Sequence, residues 1–233
     1  MTPQTLLDHA DQGRLWPAPL TANAGFDLDA AYTCALAVRQ LRIARGEQPR
    51  GYKVGFTNRT IWPRYNVFAP IWGSVWDTTL SFSDGEGTVS LAHTCQPRLE
   101  PETVFGMRAT PAPNATLDEL FEAIDWIAPG FEVVQSHLPD WKFVPPDTVA
   151  DGGLHARLLV GRPTPVRDLA EDAHALDTLL AQARVSLLKN GEPVDQGQGS
   201  NVLDSPLRAL LHFTQTLRAC PGAPDLQAGD VIT

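Results

Sequence analysis

The sequence predicts an α+β fold in which a helical N-terminal segment is followed by a region rich in short β-strands. Residues 4–13 and 26–45 place apolar side chains at helical spacing, and Asp27 or Asp29 can cap the second helix. Gly46 and Pro49 end the helical pattern. Beyond them the apolar runs are short and are bounded by turn-forming residues, a pattern typical of strands.

Length and composition are those of an ordinary globular protein. The chain has 233 residues, of which 43% are hydrophobic and 19% charged, so one domain can bury a substantial core. No apolar run is long enough to span a bilayer. The N-terminus lacks a basic region followed by an apolar one, so we expect a cytoplasmic protein without a secretory signal.

Charge and cysteine content argue against several classes of protein. With 27 acidic and 18 basic residues the net charge is −9, and the basic residues form no stripe, so nucleic acid is an unsuitable partner. The three cysteines are widely spaced and form no CxxC motif, which predicts free thiols instead of a disulfide framework or a zinc site. Local anion binding is expected where Lys53, Arg59 and Arg64 cluster in the sequence.

The first strand after the helices carries a lysine among apolar neighbours. Residues 51–56 predict a short strand in which Lys53 lies between Tyr52 and Val54. Such a lysine either reaches solvent at a strand edge or is held in a dry site for chemistry, and the pattern does not decide between them.

Residues 57–76 are rich in aromatic side chains and are interrupted by Pro63, Pro70 and Gly73, which predicts a packed loop. A strand is expected to start at residues 74–77, and Asp77 either caps a strand end or is an acid in the pocket.

Two carboxylates stand two residues apart at the mouth of a predicted strand. Side chains alternate along a strand, so Glu100 and Glu102 should share one face at a separation of roughly 6.5–7 Å. At an effective dielectric constant near 20 their repulsion is about 2 kcal/mol. Either water screens two exposed glutamates, or a hard divalent cation such as Mg²⁺ or Mn²⁺ binds between them.

A third glutamate has a similar setting. Thr116 is the expected N-cap of a helix over residues 117–127, which Pro129 and Gly130 end. The following strand, residues 131–134, is apolar except for Glu132, and a buried carboxylate needs a partner. Three glutamates in apolar strand contexts therefore favour a metal site.

The C-terminal third contains the strongest turn signal. Asn190 and Gly191 predict a β-hairpin between strands at residues 185–189 and 193–196. Pro206 is expected in the first turn of a helix that continues over residues 207–217. The last residues, 228–233, predict a turn and the beginning of a strand.

The order of these motifs resembles a known family. Gly51-Tyr52-Lys53-Val54-Gly55, Arg98-Leu99-Glu100-Pro101-Glu102 and Phe131-Glu132-Val133-Val134-Gln135-Ser136 are followed by Asp147-Thr148-Val149-Ala150-Asp151 and by the segment from Asn190 to Pro206. Together they resemble the 2-keto-4-pentenoate hydratase group of the fumarylacetoacetate hydrolase superfamily, from about residue 30 to the C-terminus.

The resemblance implies a β-rich mixed sheet with a helical N-terminal segment over residues 1–50 and a catalytic domain over residues 51–233. Family members continue past residue 233, so we expect either a truncated C-terminus or a sheet that closes differently. It implies that Glu100, Glu102 and Glu132 bind Mg²⁺ or Mn²⁺ and that Lys53 and Asp77 are catalytic. The expected substrate is a short unsaturated 2-oxo acid of the 2-hydroxydienoate type from aromatic catabolism. The expected reaction is hydration, and the alternatives are decarboxylation or carbon–carbon hydrolysis at the same metal site.

One segment departs from the family pattern. Where the family has small hydroxylated residues after Asp151, this chain has Gly152-Gly153-Leu154-His155. His155 either replaces a hydroxyl as a proton donor or is structural. We expect Lys53, Arg59, Asp151 and His155 to bind the substrate, and the protein to be a homo-oligomer. A non-catalytic subunit with the same fold would be expected to have lost the glutamates or Lys53, and all four are present.

Overall fold

The computed structural model describes residues 1–66 and 68–233 and consists of helices arranged around one large mixed sheet. The helices are α1 (Pro3–Gln12), α2 (Leu28–Ala44), α3 (Trp62–Tyr65), α4 (Leu117–Ala123), α5 (Pro145–Ala150), α6 (Val166–Leu169), α7 (Ala173–Gln182) and α8 (Pro206–Ala219). The strands are β1 (Pro49–Gly55), β2 (Ile71–Trp76), β3 (Leu80–Phe82), β4 (Arg98–Met107), β5 (Ile124–Val134), β6 (His155–Val160), β7 (Thr164–Pro165), β8 (Arg184–Lys189), β9 (Glu192–Gln198) and β10 (Val231–Ile232).

Local capping explains where the helices begin. The Asp27 side chain accepts a hydrogen bond from the Ala30 amide, and Thr116 and Glu119 form a reciprocal capping box at α4. Pro206 lies in the first turn of α8, where its missing N–H is not needed. The predicted helices at residues 4–13, 26–45 and 207–217 are confirmed with shifts of one or two residues at their ends.

The predicted helix over residues 117–127 was too long. Helix α4 ends at Ala123, and β5 starts at Ile124. Ile124 and Ile127 lie opposite Met107 and Phe105 of β4, so strand pairing overrides the helical pattern in this stretch. The predicted packed loop over residues 57–76 contains α3 and β2, and Val67 within it lies outside the described residues.

Within residues 1–66 and 68–233, the large sheet has eight strands in the order β2-β1-β10-β4-β5-β6-β3, with β7 paired to β5. Strands β1 and β10 are parallel, as are β3 and β6, and the other neighbours are antiparallel. The mixed sheet expected from the sequence is confirmed. Strands β8 and β9 form a separate hairpin around Asn190 and Gly191, both with positive φ, as their sequence predicts.

The main hydrophobic core lies between one face of the sheet and helices α4, α7 and α8, with Leu120, Leu176 and Phe213 among its buried members. A second cluster joins the N-terminal helices to the sheet through Leu6, Ala31 and Ile71. The helical segment thus shares apolar contacts with the rest of the chain. In the described ranges, no helix has the length and apolar character to cross a membrane.

Helix α7 offers a matched test of this packing. Leu176 is fully buried, whereas Leu179 on the same helix is 43% exposed. We expect Leu176→Ala to lower the free energy of unfolding by about 2–5 kcal/mol, because it removes buried methyl groups and leaves a cavity. Leu179→Ala should change it by less than about 1 kcal/mol. Urea denaturation of both variants measures the difference, and equal losses would contradict the packing of α7.

Candidate active site

The antiparallel pairing of β4 and β5 brings three glutamates together. Glu100 and Glu102 alternate onto one face of β4, and Glu132 of β5 lies directly opposite Glu100 in the register. One carboxylate oxygen of each residue lies within 4.8 Å of the others. Glu132 is fully buried, Glu102 is half-buried and Glu100 is exposed, so the cluster opens to solvent on the Glu100 side.

Lys53 of β1 reaches into this cluster. Its side chain is buried, and Nζ lies 3.2 Å from Glu132 Oε2. Burial alone lowers the pKa of the Lys53 ammonium, but Glu132, Glu100 and Glu102 together raise it above its ordinary value. The alternative left open by the sequence is thereby decided: Lys53 lies in a dry site and does not reach solvent at the strand edge.

The position of Lys53 depends on a close approach of two backbones. The turn at Gly152 and Gly153 lies against β2, and a Cβ atom added to Gly73 would lie only 1.9 Å from Gly152 O. Gly73 pairs with Lys53 in the sheet, and a Cβ on Gly153 would lie 3.1 Å from Lys53 Cδ. Glycine at these positions lets the turn pack on the lysine stem.

The carboxylates repel one another, and this changes their protonation. Burial, with the charges of Glu100 and Glu132, raises the pKa of Glu102 well above its ordinary value, and Lys53 offsets part of the rise. Desolvation also raises the pKa of Glu100, while Lys53 lowers it in part. A metal-free site therefore favours a proton on Glu102.

The cluster has the chemistry of a site for a hard divalent cation. Three carboxylates converge, and Glu132 Oε2 is a buried oxygen whose neighbouring donor among residues 1–66 and 68–233 is the Lys53 ammonium, 3.2 Å away. A carboxylate oxygen with one such partner keeps a lone pair for a cation. The donor set is all oxygen, which favours Mg²⁺, Mn²⁺ or Ca²⁺ over softer metals.

His155 belongs to the same group but does not face solvent. Its side chain is 3% exposed; Nδ1 lies 2.7 Å from Glu132 Oε1, and Nε2 lies 2.8 Å from Thr79 Oγ1. Burial lowers the pKa of His155, although Glu132 partly opposes this. The sequence expected His155 to contact substrate, whereas the structure places it behind Glu132.

Three other residues expected at the site make their polar contacts with groups outside the glutamate cluster. Asp77 is exposed at the end of β2, where its carboxylate accepts a hydrogen bond from the Gln48 amide. It follows Gly73, the partner of Lys53, by four residues, or roughly 13 Å along a strand. Arg59 is exposed and pairs with Asp204 at 2.9 Å. Asp151 accepts hydrogen bonds from the main chain and ring of His137.

Lys53, Arg59 and Arg64, the cations that cluster in the sequence, contact different groups. Lys53 is buried with the glutamates, while Arg64 stacks over Tyr65 and lines a cavity of about 450 Å³ together with Arg98. Sequence reasoning also missed Thr79 and His137. Thr79 contacts His155, which is 76 residues away in the chain, and His137 contacts Asp151, which is 14 residues away. No local sequence motif marks such pairs.

A larger cavity of about 1150 Å³ borders the cluster. Glu102 and Phe131 form part of its wall, as does Thr233, whose buried hydroxyl has no hydrogen-bond partner in the described part of the chain. Most of its strand lining, including Phe105 and Phe131, lies on the face of β4 and β5 opposite the glutamates, and among the described residues Lys53, Glu100 and Glu132 do not line it.

Comparison with known proteins places this fold and site in a family. No protein-family profile matches the chain. It is 34% identical to the 2-hydroxyhexa-2,4-dienoate hydratase of Comamonas testosteroni over 92% of this chain and 78% of that protein. It is 30% identical to a 2-hydroxypent-2,4-dienoate hydratase of Pseudomonas putida, over 85% of this chain and 86% of that protein.

Comparison with solved structures gives a result consistent with these sequence relatives. A 4-oxalocrotonate decarboxylase from Pseudomonas putida G7, complexed with magnesium and adipate, matches with a TM-score of 0.83 and 26% identity over 100% of this chain and 87% of that one. A putative fumarylacetoacetate hydrolase family protein from Yersinia pestis shares the fold with a TM-score of 0.55 at 16% identity, covering 79% of each chain.

The fold is that of fumarylacetoacetate hydrolase-like proteins. By its sequence, the chain belongs to the 2-keto-4-pentenoate hydratase group. The resemblance seen in the sequence is thus confirmed.

The raised pKa of Glu102 predicts a pH-dependent stability. A carboxyl group whose pKa is raised on folding stabilises the protein at low pH, and this contribution is lost as the pH rises from 4.5 through the raised value. In metal-free protein, Glu102→Gln should therefore gain stability relative to wild type as the pH rises between about 4 and 8. Urea denaturation across this range measures the gain.

The control for this prediction is Glu192→Gln, which removes an exposed carboxylate on the β8–β9 hairpin. Its difference from wild type should stay small across the same range, since water screens the charge. A difference for Glu102→Gln that does not change with pH would contradict the desolvated carboxylate cluster.

Proposed function

We propose that this protein is a divalent-metal-dependent hydratase that adds water to a short-chain unsaturated 2-oxo acid of the 2-hydroxydienoate type, in the catabolism of aromatic or related compounds. The observation that carries the proposal is the convergence of Glu100, Glu102, Glu132 and Lys53 in a chain 34% identical to a dienoate hydratase.

Glu100, Glu102 and Glu132 would hold the cation, and we propose Mg²⁺ or Mn²⁺ as the ion. Magnesium accompanies the related decarboxylase, and manganese accompanies a fumarylpyruvate hydrolase of the same fold. When bound, the cation supplies Lewis-acid stabilisation of negative charge on the oxygens of a 2-oxo acid.

Lys53 is the proposed proton-transfer group. The three glutamates favour its charged form, so its ammonium can donate a hydrogen bond to a substrate beside Glu132. Charge neutralisation of the glutamates by a cation would ease transfer of the Lys53 proton. Hydration of a dienoate places a proton on one carbon and hydroxide on another, and a buried donor can deliver that proton without competition from bulk water. The open Glu100 side gives substrate a route from solvent.

A second candidate is decarboxylation of a vinylogous 2-oxo acid, with carbon–carbon hydrolysis as a related use of the same site. The observation that favours decarboxylation is the TM-score of 0.83 with a 4-oxalocrotonate decarboxylase over the whole of this chain. Product analysis separates the candidates, because hydration adds the mass of water whereas decarboxylation releases CO₂.

The metal requirement is tested without a known substrate. Adding Mg²⁺ or Mn²⁺ to chelator-treated protein should raise the melting temperature, because an ion that binds only the folded state stabilises it. A screen of unsaturated 2-oxo acids should then find turnover that chelation abolishes and the ion restores. Turnover that persists after complete chelation would overturn the metal-dependent mechanism.

Lys53 is tested by two substitutions. Lys53→Met should keep metal binding but lower kcat by about 10²-fold or more, the usual scale for general acid–base groups. Lys53→Arg should not restore the rate, because a guanidinium is bulkier and does not release its proton at neutral pH. Steady-state kinetics on the identified substrate measures both.

The matched control is Lys189→Met, which changes an exposed lysine on the hairpin and should leave kcat within about twofold of wild type. Near wild-type turnover in both Lys53 variants would show that Lys53 is structural.

We also propose a homo-oligomer. The face of β4 and β5 opposite the glutamates exposes Leu99 and Phe131, and Phe82 of β3 is 54% exposed. Such apolar area favours association between subunits. Light scattering at micromolar concentration should give a multiple of the 25.3 kDa chain mass, and a monomer mass would count against the proposal.

A further inference from the structure

Glu132 is connected to the protein through an asymmetric set of contacts. Its Oε1 lies 2.7 Å from His155 Nδ1, and His155 Nε2 lies 2.8 Å from Thr79 Oγ1. Its Oε2 lies 3.2 Å from Lys53 Nζ, which is the donor near that oxygen within the described ranges. The two oxygens of one carboxylate are therefore held in different environments.

The direction of these hydrogen bonds follows from the chemistry of the groups. A carboxylate oxygen accepts, so His155 Nδ1 carries a proton and donates to Oε1. Thr79 Oγ1 accepts from the Trp76 amide at 3.1 Å, and its hydroxyl lies 3.2 Å from the Trp76 carbonyl and 2.8 Å from His155 Nε2. With Nδ1 protonated, a neutral imidazole has Nε2 as its acceptor for the Thr79 hydroxyl. The chain from the Trp76 amide to Glu132 fixes the orientation of the imidazole ring.

Both nitrogens of His155 are thus engaged, and the side chain is buried behind Glu132. A direct role as proton donor to a substrate would require breaking one of these bonds. The geometry instead acts on the carboxylate: with Oε1 held by His155, rotation that would turn both oxygens toward one ion costs a buried hydrogen bond.

We propose that His155, held by Thr79, is a positioning residue that restricts Glu132 to binding the cation through Oε2 alone. The inference rests on the metal site of the proposed function. One-oxygen carboxylate ligands suit the small octahedral Mg²⁺, whereas Ca²⁺ readily accepts both oxygens of a carboxylate. The Thr79–His155 pair therefore makes the site selective for small divalent ions over Ca²⁺.

The test measures metal binding alone, by calorimetric titration of chelator-treated protein with Mg²⁺ and with Ca²⁺. His155→Leu removes the donor to Oε1 while filling similar space. It should weaken Mg²⁺ binding by about 10–100-fold, the usual effect of losing such a partner. Ca²⁺ binding should weaken less, since Glu132 becomes free to use both oxygens, so the Mg²⁺/Ca²⁺ preference should fall by about tenfold.

Two further variants separate positioning from simple packing. His155→Asn keeps an N–H donor close to the position of Nδ1 and should keep a Mg²⁺/Ca²⁺ preference near that of wild type. Thr79→Val removes the hydroxyl that holds the ring and should lower the preference in the same direction as His155→Leu, by a smaller factor.

His137→Leu is the matched control. His137 is another buried histidine paired with a carboxylate, that of Asp151, so its loss should lower stability while leaving the Mg²⁺/Ca²⁺ preference unchanged. Melting temperatures of all variants report how much each change costs the fold.

The outcomes are distinct. An unchanged preference in folded His155→Leu overturns the proposal. If His155→Leu does not fold, an unchanged preference in Thr79→Val overturns it, and a lowered one supports it. A wild-type protein that binds neither ion would refute the metal site itself, a failure separate from that of His155.

Discussion

The mutual repulsion of three carboxylates is the constraint around which this protein is organised. At about 5 Å separation and an effective dielectric constant near 20, each charged pair costs about 3 kcal/mol. Three such pairs would cost about as much as the 5–15 kcal/mol that stabilises a typical domain. The repulsion among the three carboxylates must therefore be offset in the folded protein. The Lys53 ammonium, a proton on Glu102 or a bound cation can do this.

The more deeply a glutamate is buried, the more partners offset the charge of its carboxylate, with Glu102 as the exception. Glu132 lies deepest and has the most partners, with His155 at one oxygen and Lys53 near the other. Glu102 is intermediate and lacks a comparable donor among the described residues, which is why its pKa rises most clearly. Glu100 meets solvent at the rim. The gradient from a fixed interior ligand to an accessible outer one suits a site that must bind an ion firmly and still admit a small acid.

The sequence predicted those parts of the site that depend on local periodicity. Alternation along β4 places Glu100 and Glu102 on one face, and a lone glutamate in the apolar run of β5 marks Glu132. Asp77, by contrast, follows strand β2, whose register with β1 could not be predicted. Lys53 pairs with Gly73, and Asp77 lies four residues beyond that glycine. The role of His155 was equally hidden, because its partners Thr79 and Glu132 are 76 and 23 residues distant in the chain.

The glycine contact between Gly73 and Gly152 has a consequence for the flexibility of the site. A lysine side chain has about 2 kcal/mol of rotamer entropy to lose when it is fixed in one geometry. Here the backbone turn confines the Lys53 stem as the protein folds, so this loss precedes the arrival of any substrate. The ammonium is preorganised, and substrate binding energy need not be used to order it. Glycines that pack against the lysine stem thus set how rigid the functional group is.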